Sequence, residues 1–140
     1  MAEELRQQVP VIKDVLRAMH IEVIEKAGLE ADDLLGTLSH RCEEKGMDVS
    51  IISGDRDTLQ LATEHIKIRI PKTKQGKTEV EDYYAADVQE RYGVTPKEFI
   101  DVKALMGDTA DNIPGVPGVG EKTATKIIQQ YQTCLLYTSP

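Results

Sequence analysis

Apolar and polar positions along the first half of the chain follow two periods, one typical of helices and one typical of strands. Apolar side chains recur every three or four positions over residues 5–19, which predicts an amphipathic helix. Pro10 falls inside this pattern, so it either kinks the helix or marks where its regular part begins. The short apolar run 21–24 predicts a strand, and residues 31–45 predict a second helix that Gly46 ends.

The next segments repeat this succession of strands and helices. Residues 49–52 predict a buried strand, and residues 58–61 predict a short helix. Isoleucines alternate with basic residues over 66–70, which predicts a strand with one wet face before a polar turn at 71–78. The order helix, strand, helix, strand, helix, strand predicts an α/β fold with a largely parallel sheet flanked by helices.

The second half of the chain is predicted to be helical. Helices are expected over residues 85–91 and 96–106, and Thr95-Pro96 is a typical start for the second of them. A glycine-rich loop over residues 107–120 leads into a last helix that presents Ala124, Ile127, Ile128 and Tyr131 on one face.

Three parts of the chain follow from this pattern. Residues 1–82 are predicted to form part of an α/β core, and residues 83–133 a helical region. Residues 134–140 break the helical pattern, so we interpret them as a non-native tail and exclude them from the fold.

Length and composition indicate one globular domain. The chain has 140 residues, of which 40% are hydrophobic and 29% charged. It contains no apolar run of membrane-spanning length and no signal peptide at its start, and its two cysteines indicate no disulfide framework. We therefore expect a protein of the reducing cytoplasm, with no membrane partner.

The net charge of −7 argues against simple electrostatic binding to nucleic acid. However, seven carboxylates in three short clusters could account for that excess. Bound divalent cations would neutralise much of this negative charge locally. Phosphate chemistry is the usual reason for a protein to hold such ions. The clustered carboxylates are Glu30, Asp32, Asp33, Asp55, Asp57, Asp108 and Asp111.

Each of the first two acidic clusters has a structural explanation beside a functional one. Asp55 and Asp57 directly follow a predicted strand, and ligands of open α/β sheets bind beyond the carboxyl ends of strands. Asp55 could equally cap the next helix. Asp32 and Asp33 could likewise favour a helix start, by roughly 0.3–1 kcal/mol each. Capping does not explain three acids in four positions, because their mutual repulsion would offset that gain.

The third cluster leads into a glycine hairpin. Alternating glycines between two helices let the backbone approach a partner closely, and the N–H groups of such a turn and of the following helix form an anion site. Lys122 and Lys126 add positive charge on the same side. An ordinary tight turn between helices is the alternative, which three glycines and two prolines at this spacing disfavour.

Taken in order, these motifs resemble the 5′-nuclease (flap endonuclease) family. The similarity covers roughly residues 1–132 and is most specific in GDTADNIPGVPGVGEKTA, residues 107–124. More closely, the chain is similar to the 5′→3′ exonuclease domain of bacterial DNA polymerase I. The resemblance implies a replication and repair nuclease that hydrolyses DNA phosphodiesters at a 5′ end or 5′ flap beside duplex.

The resemblance also implies a set of site residues. All seven clustered carboxylates would be metal-site acids for two Mg²⁺ or Mn²⁺ ions, and the hairpin would grip the duplex backbone and hold K⁺. Oxygen-only ligands agree with magnesium or manganese rather than zinc. Because such a hairpin contacts phosphate through main-chain groups, it would position DNA without reading its sequence. The expected DNA-binding residues are Gly115, Val116, Gly118, Val119, Gly120, Lys122, Thr123 and Lys126.

Parts of the family pattern have no counterpart here. The family begins with a central strand that ends in a metal-binding aspartate, followed by a second aspartate and a basic arch, and nothing before Glu30 supplies these. We therefore expect a C-terminal portion of the nuclease domain, with the polymerase absent, that is marginally stable or self-associating. We expect this chain to cleave DNA weakly or not at all.

Two other functions stay open at this point. A non-catalytic DNA-binding fragment would keep the hairpin grip without hydrolysis. A metal-dependent phosphatase would explain the acids but would leave the hairpin without a purpose.

Overall fold

The computed structural model of the chain describes residues 3–74, 76–109 and 112–132, apart from the side chain of Lys74. Two sequence predictions, the site role of Asp111 and the non-native tail 134–140, lie outside the described residues. The chain divides into two compact units, Met1–Leu34 and Leu35–Pro140.

The first unit is built on one helix. Helix α1 spans Glu3–Ala18 and runs through Pro10, so its regular part does not begin at that proline. Lys13 of α1 forms a salt bridge with Glu25, and the hydrogen bond from Lys13 lowers the pKa of the Glu25 carboxyl. The predicted amphipathic helix is therefore confirmed as a helix, although none of its residues is buried.

The strand predicted over residues 21–24 is wrong. These residues have no regular secondary structure, and Ile21 and Ile24 are about half exposed. A strand is held by hydrogen bonds to a neighbour, and no strand in the described part of the chain pairs with this segment.

Helix α2 spans Ala31–Glu43 and confirms the second predicted helix. It starts at the first acidic cluster. At its other end the Gly46 N–H donates to the carbonyl of Glu43 at 2.8 Å, and Gly46 has a φ of +75°. The left-handed backbone there is the usual reason for glycine after a helix, as the sequence predicts.

The second unit contains a three-stranded sheet. Strand β1 spans Val49–Ile52, strand β2 Ile66–Lys74 and strand β3 Lys77–Tyr83, in the order β1-β2-β3. A short 3₁₀ helix, Arg56–Leu61, lies between the first two strands in sequence. Strand β1 runs parallel to β2, with Ile51 opposite Ile68.

The α/β class is confirmed, but the sheet is mixed rather than largely parallel. Strand β3 runs antiparallel to β2, because the two strands are joined by a tight turn in which Gly76 has a φ of +77°. The polar turn predicted over residues 71–78 is therefore much shorter, and Pro71 pairs with Val80 within the sheet.

Three helices complete the second unit. Helix α3 spans Ala85–Tyr92, helix α4 Pro96–Met106 and helix α5 Glu121–Tyr131. The predicted start of α4 is confirmed in detail, because Thr95 accepts from the N–H of Glu98 at 3.2 Å while the Glu98 carboxylate accepts from the Thr95 N–H at 2.8 Å.

The core of the second unit lies between the sheet and these helices. Ile66, Ile68 and Ile70 of β2 are buried, whereas Arg69 on the opposite face donates to Asp82 of β3 at 2.8 Å. This alternation confirms the predicted wet face. The buried apolar side chains are Ile51, Leu59, Ala62, Ile66, Ile68, Ile70, Tyr83, Val88, Val94, Phe99, Val102, Ala124 and Ile128.

No helix within the described ranges combines the length and the apolar character needed to cross a bilayer.

Candidate metal and nucleic-acid site

The end of β1 places the second acidic cluster. After Ser53-Gly54, Asp55 takes an extended conformation as the N-cap of the 3₁₀ helix, and its Oδ1 accepts from the N–H of Asp57 at 2.9 Å. The Ser53 hydroxyl oxygen accepts from the Asp55 N–H at 3.0 Å. The capping role considered for Asp55 is therefore present, and it also fixes the backbone of Asp57.

Asp57 and Asp108 converge on one lysine. The Nζ atom of Lys103 lies 2.9 Å from Oδ1 of Asp57 and 2.8 Å from Oδ2 of Asp108. All three side chains are partly buried, between 21% and 29% exposed. Two carboxylates that lie far apart in sequence are thus aimed at a single cationic centre.

The charge of this centre is stabilised by its surroundings. Burial by itself would lower the pKa of Lys103, but the hydrogen bonds to Asp108 and Asp57 outweigh it, so the pKa is raised. Lys103 is therefore an ammonium at neutral pH, and it neutralises part of the charge of the acids that flank it.

A short backbone ladder positions Asp108. Strand β4, Gly107–Asp108, pairs antiparallel with strand β5, Ile113–Pro114, and the Val116 N–H donates to the carbonyl of Leu105 at 2.8 Å. These bonds turn the chain back directly after α4. Asp108 is therefore carried to the side of the lysine that precedes it on the helix.

Two glycines make this ladder possible. Gly107 has φ +73° and ψ 178°, and a Cβ atom there would lie 2.6 Å from the carbonyl oxygen of Ile113. A Cβ atom at Gly115 would lie 2.5 Å from the backbone nitrogen of Gly107. Gly115 thus allows a close approach to the backbone of Gly107 in the same chain, rather than to a bound partner. A Cβ atom at Gly118 or Gly120 would meet nothing within 4 Å.

The first acidic cluster belongs to the other unit. The backbone N–H of Glu30 donates to Oδ2 of Asp33 at 3.0 Å, which closes the first turn of α2. The capping role considered for Asp33 is therefore present too. Glu30, Asp32 and Asp33 are described within Met1–Leu34, so their convergence with Asp57 and Asp108 stays a prediction.

Within residues 3–74, 76–109 and 112–132, no three His, Cys, Asp or Glu side chains are grouped closely enough to hold a metal ion. Of the predicted metal-site acids that the structure describes, Asp57 and Asp108 are the pair that it brings together, through their shared contact with Lys103. Lys103, which contacts both of these acids, is a residue that the sequence analysis missed. Its only signal in the sequence is a position five residues before Asp108, which says nothing about contact with Asp57.

A basic cleft lies between α3 and α5. It has a volume of about 320 Å³, and its lining includes Arg91, Lys122 and Lys126 with Glu121 as the one carboxylate. The Gln129 amide donates to the carbonyl of Gly93 at 2.8 Å and ties the end of α3 to α5. Both lysines predicted to bind DNA thus share a concave surface with Arg91, which the sequence analysis did not select.

Comparison with known proteins defines the class. Residues 1–93 match the family model of the 5′-3′ exonuclease N-terminal resolvase-like domain, and residues 94–135 match that of the 5′-3′ exonuclease C-terminal SAM fold. The chain belongs to the 5′-3′ exonuclease family, which confirms the resemblance inferred from the motifs.

Individual relatives refine this assignment. DNA polymerase I of Bacillus caldotenax is 50% identical over 130 residues, which are 93% of this chain and 15% of that protein. The bacteriophage T5 D15 protein co-crystallized with metal ions aligns with a TM-score of 0.78 at 29% identity, over 96% of this chain and 51% of its own. A complex of the T5 D15 flap endonuclease with DNA and metal ions aligns with a TM-score of 0.77 at 28% identity, over 96% and 50%. The chain thus spans about half of the T5 protein and a much smaller share of the polymerase.

Proposed function

We propose that the chain forms part of a metal-dependent, structure-specific 5′-nuclease that hydrolyses DNA phosphodiesters at a 5′ end or 5′ flap beside duplex. The supporting observation is the convergence of Asp57 and Asp108 on one cation at 2.9 and 2.8 Å. Relatives that carry metal ions and DNA in their structures support the same chemistry.

The donor groups fit a hard divalent cation. Asp57 and Asp108 offer carboxylate oxygens that already point at a common positive charge, and oxygen ligands suit Mg²⁺ or Mn²⁺. Two such ions, when bound, would activate water and stabilise the leaving oxygen of an in-line displacement. The acids proposed to hold them are Glu30, Asp32, Asp33, Asp55, Asp57, Asp108 and Asp111.

The protein's own contribution is to hold these acids in place. Asp55 fixes the backbone of Asp57 through its cap, and the glycine contact between β4 and β5 fixes Asp108 directly after α4. Carboxylates held in this way need little reorganisation when a cation binds, which is what a preorganised site requires.

The glycine hairpin and the basic cleft are proposed to hold the DNA backbone. Lys122 lies in the first turn of α5, where the helix dipole also favours an anion. Lys126 lies one turn later, and both lysines line the same cleft as Arg91. Phosphate contacts of this kind give affinity without sequence preference. A potassium ion is proposed at the hairpin itself. The DNA-binding residues proposed there are Gly115, Val116, Gly118, Val119, Gly120 and Thr123.

The biological setting follows from the relatives. Because the matched region belongs to DNA polymerase I in Bacillus caldotenax, we propose action in bacterial DNA replication and repair. We also propose a cytoplasmic location, and a native chain that carries a polymerase in addition to the matched region, as the name of that relative suggests.

A cleavage assay tests the proposed chemistry. A labelled 5′-flap duplex is incubated with the chain in Mg²⁺ and, separately, in Ca²⁺, and products are separated by gel electrophoresis. We expect at most weak cleavage by this chain in Mg²⁺, and Asp57→Asn and Asp108→Asn should each abolish it, because each removes a proposed ligand. Glu44→Gln is the matched control, since Glu44 is an exposed acid outside the site. Equal binding in both ions without cleavage would favour the non-catalytic DNA-binding alternative.

A binding assay tests the proposed DNA surface. Fluorescence anisotropy with the same duplex in Ca²⁺ is measured over a range of salt concentrations. Lys122→Gln and Lys126→Gln should each weaken binding and reduce the slope of log affinity against log salt by about 1. Arg91→Gln should act in the same direction. Lys45→Gln removes an exposed charge elsewhere and should change neither quantity, so an equal effect there would contradict the assignment.

A further inference from the structure

One ammonium holds two carboxylates that the proposed function assigns to metal ions. Lys103 lies 2.8 Å from Asp108 and 2.9 Å from Asp57, and its side chain is 26% exposed. Charge-assisted hydrogen bonds of this length are about twice as strong as neutral ones. The two carboxylates are therefore already bound to a cationic group when no metal ion is present.

The ammonium and a divalent cation need the same oxygens. Magnesium binds oxygen at about 2.0–2.1 Å and calcium at about 2.3–2.6 Å, both shorter than the contacts to Lys103. A metal ion between Asp57 and Asp108 would therefore lie where the ammonium now lies. Two cations cannot share that position, because their repulsion at such a distance is large.

Lys103 can leave the position without disturbing the fold. Its side chain is a flexible four-carbon stem on α4, and part of it is already exposed. The backbone that carries Asp57 and Asp108 is held by other contacts. These are the hydrogen bond from the Asp57 N–H to the Asp55 side chain and the pairing of strands β4 and β5. The lysine can swing away while the acids remain.

We propose that Lys103 is a positioning residue that acts as a resident cation: it holds Asp57 and Asp108 together in the metal-free protein and competes with the divalent ion for them. This inference rests on the proposed metal site. It assigns to the lysine control over metal affinity, separate from any contact with DNA.

The test measures metal binding without DNA or turnover. Mn²⁺ is titrated into the 140-residue chain by isothermal titration calorimetry, and urea unfolding is followed in EDTA. Lys103→Met keeps the stem and removes the charge, so it should bind Mn²⁺ about tenfold more tightly, the factor expected when one charge-assisted hydrogen bond no longer competes. In EDTA it should be less stable than the wild type, because the two carboxylates then repel each other.

Matched variants separate this role from a general charge effect. Lys97→Met removes an exposed charge from the same helix and should leave Mn²⁺ affinity unchanged. Lys103→Arg keeps a cation and should restore affinity close to that of the wild type. Lys103→Gln repeats the charge removal with a polar side chain, should Lys103→Met fail to fold by circular dichroism.

The outcomes distinguish the inference from the proposed function. The inference is overturned if Lys103→Met and Lys103→Gln bind Mn²⁺ as tightly as the wild type or more weakly. The proposed metal site still stands in that case, provided that the wild type binds Mn²⁺ and Asp57→Asn abolishes this binding. No Mn²⁺ binding by the wild type or by either variant overturns the metal site and the inference together. The inference and the proposed metal site are both supported if Mn²⁺ binds more tightly only to Lys103→Met and Lys103→Gln, the variants that lose the charge.

Discussion

Replacing Gly107 by alanine should disrupt the turn that places Asp108. Gly107 has φ +73° and ψ 178°, a backbone conformation that is essentially restricted to glycine. An added Cβ atom would also lie 2.6 Å from the carbonyl oxygen of Ile113 and 2.8 Å from Cα of Gly115. Backbone atoms cannot rotate aside as the end of a side chain can, so β4 and β5 must separate.

The expected loss of stability has two parts. The forced conformation costs about 1–3 kcal/mol. Relief of the overlap with backbone costs about another 1–3 kcal/mol, as in overpacked cores. The free energy of unfolding should therefore fall by about 2–6 kcal/mol, a large part of the total of about 5–15 kcal/mol that is typical of domains.

Two other glycines supply matched controls. Gly118 has φ +79°, but an added Cβ would meet nothing within 4 Å, so Gly118→Ala should cost only about 1–2 kcal/mol for the left-handed backbone. Gly54 has neither a positive φ nor a neighbour within 4 Å. Gly54→Ala should be neutral or stabilise the chain by up to about 1 kcal/mol.

Urea unfolding followed by far-ultraviolet circular dichroism measures all three variants under one condition. The expected order of destabilisation is Gly107→Ala, then Gly118→Ala, then Gly54→Ala. If Gly107→Ala were as stable as Gly118→Ala, the close approach of the two backbones would not exist in solution. The placement of Asp108 would then need another explanation.

Three further predictions concern the second unit. Hydrogen bonds from Lys72 and Tyr83 lower the pKa of the Glu81 carboxyl from 4.5 to about 2, so its contribution to stability is complete above pH 4.5 and is lost as the pH falls towards 2. Glu81→Gln should therefore show a flatter dependence of unfolding free energy on pH in that window than the wild type; equal slopes would contradict this. Thr95→Ala removes the cap of α4 and should cost about 1 kcal/mol in urea unfolding, whereas no change would show that the cap is not formed. Phe99→Ala leaves a cavity beneath the same helix and should cost about 3–5 kcal/mol, and a loss below 1 would place Phe99 outside the core.

Local signals in the sequence predicted the helices well. The bounds of α4 follow from Thr95-Pro96 at its start and Gly107 at its end, because caps and breakers act within a few residues. The isoleucine alternation of β2 likewise predicted which face is buried. Strand β3 was missed because its exposed residues carry mostly polar side chains, and its strand character comes from pairing with β2.

The strand expected at residues 21–24 fails for the converse reason. Its β-branched residues favour an extended chain, but strand propensity is weak without a partner to supply hydrogen bonds. Pairing between distant segments is a property of the folded chain, so local composition predicts it poorly.

The sequence by itself determined the family, the helices and the three sets of acids, because each depends on residue type and short spacing. Only the tertiary structure decided that Asp57 and Asp108 share the ammonium of Lys103, and that Gly107 and Gly115 touch through their backbones. The physical reason is distance along the chain: Asp57 and Lys103 are brought together by packing of the 3₁₀ helix against α4, and no local pattern encodes that contact.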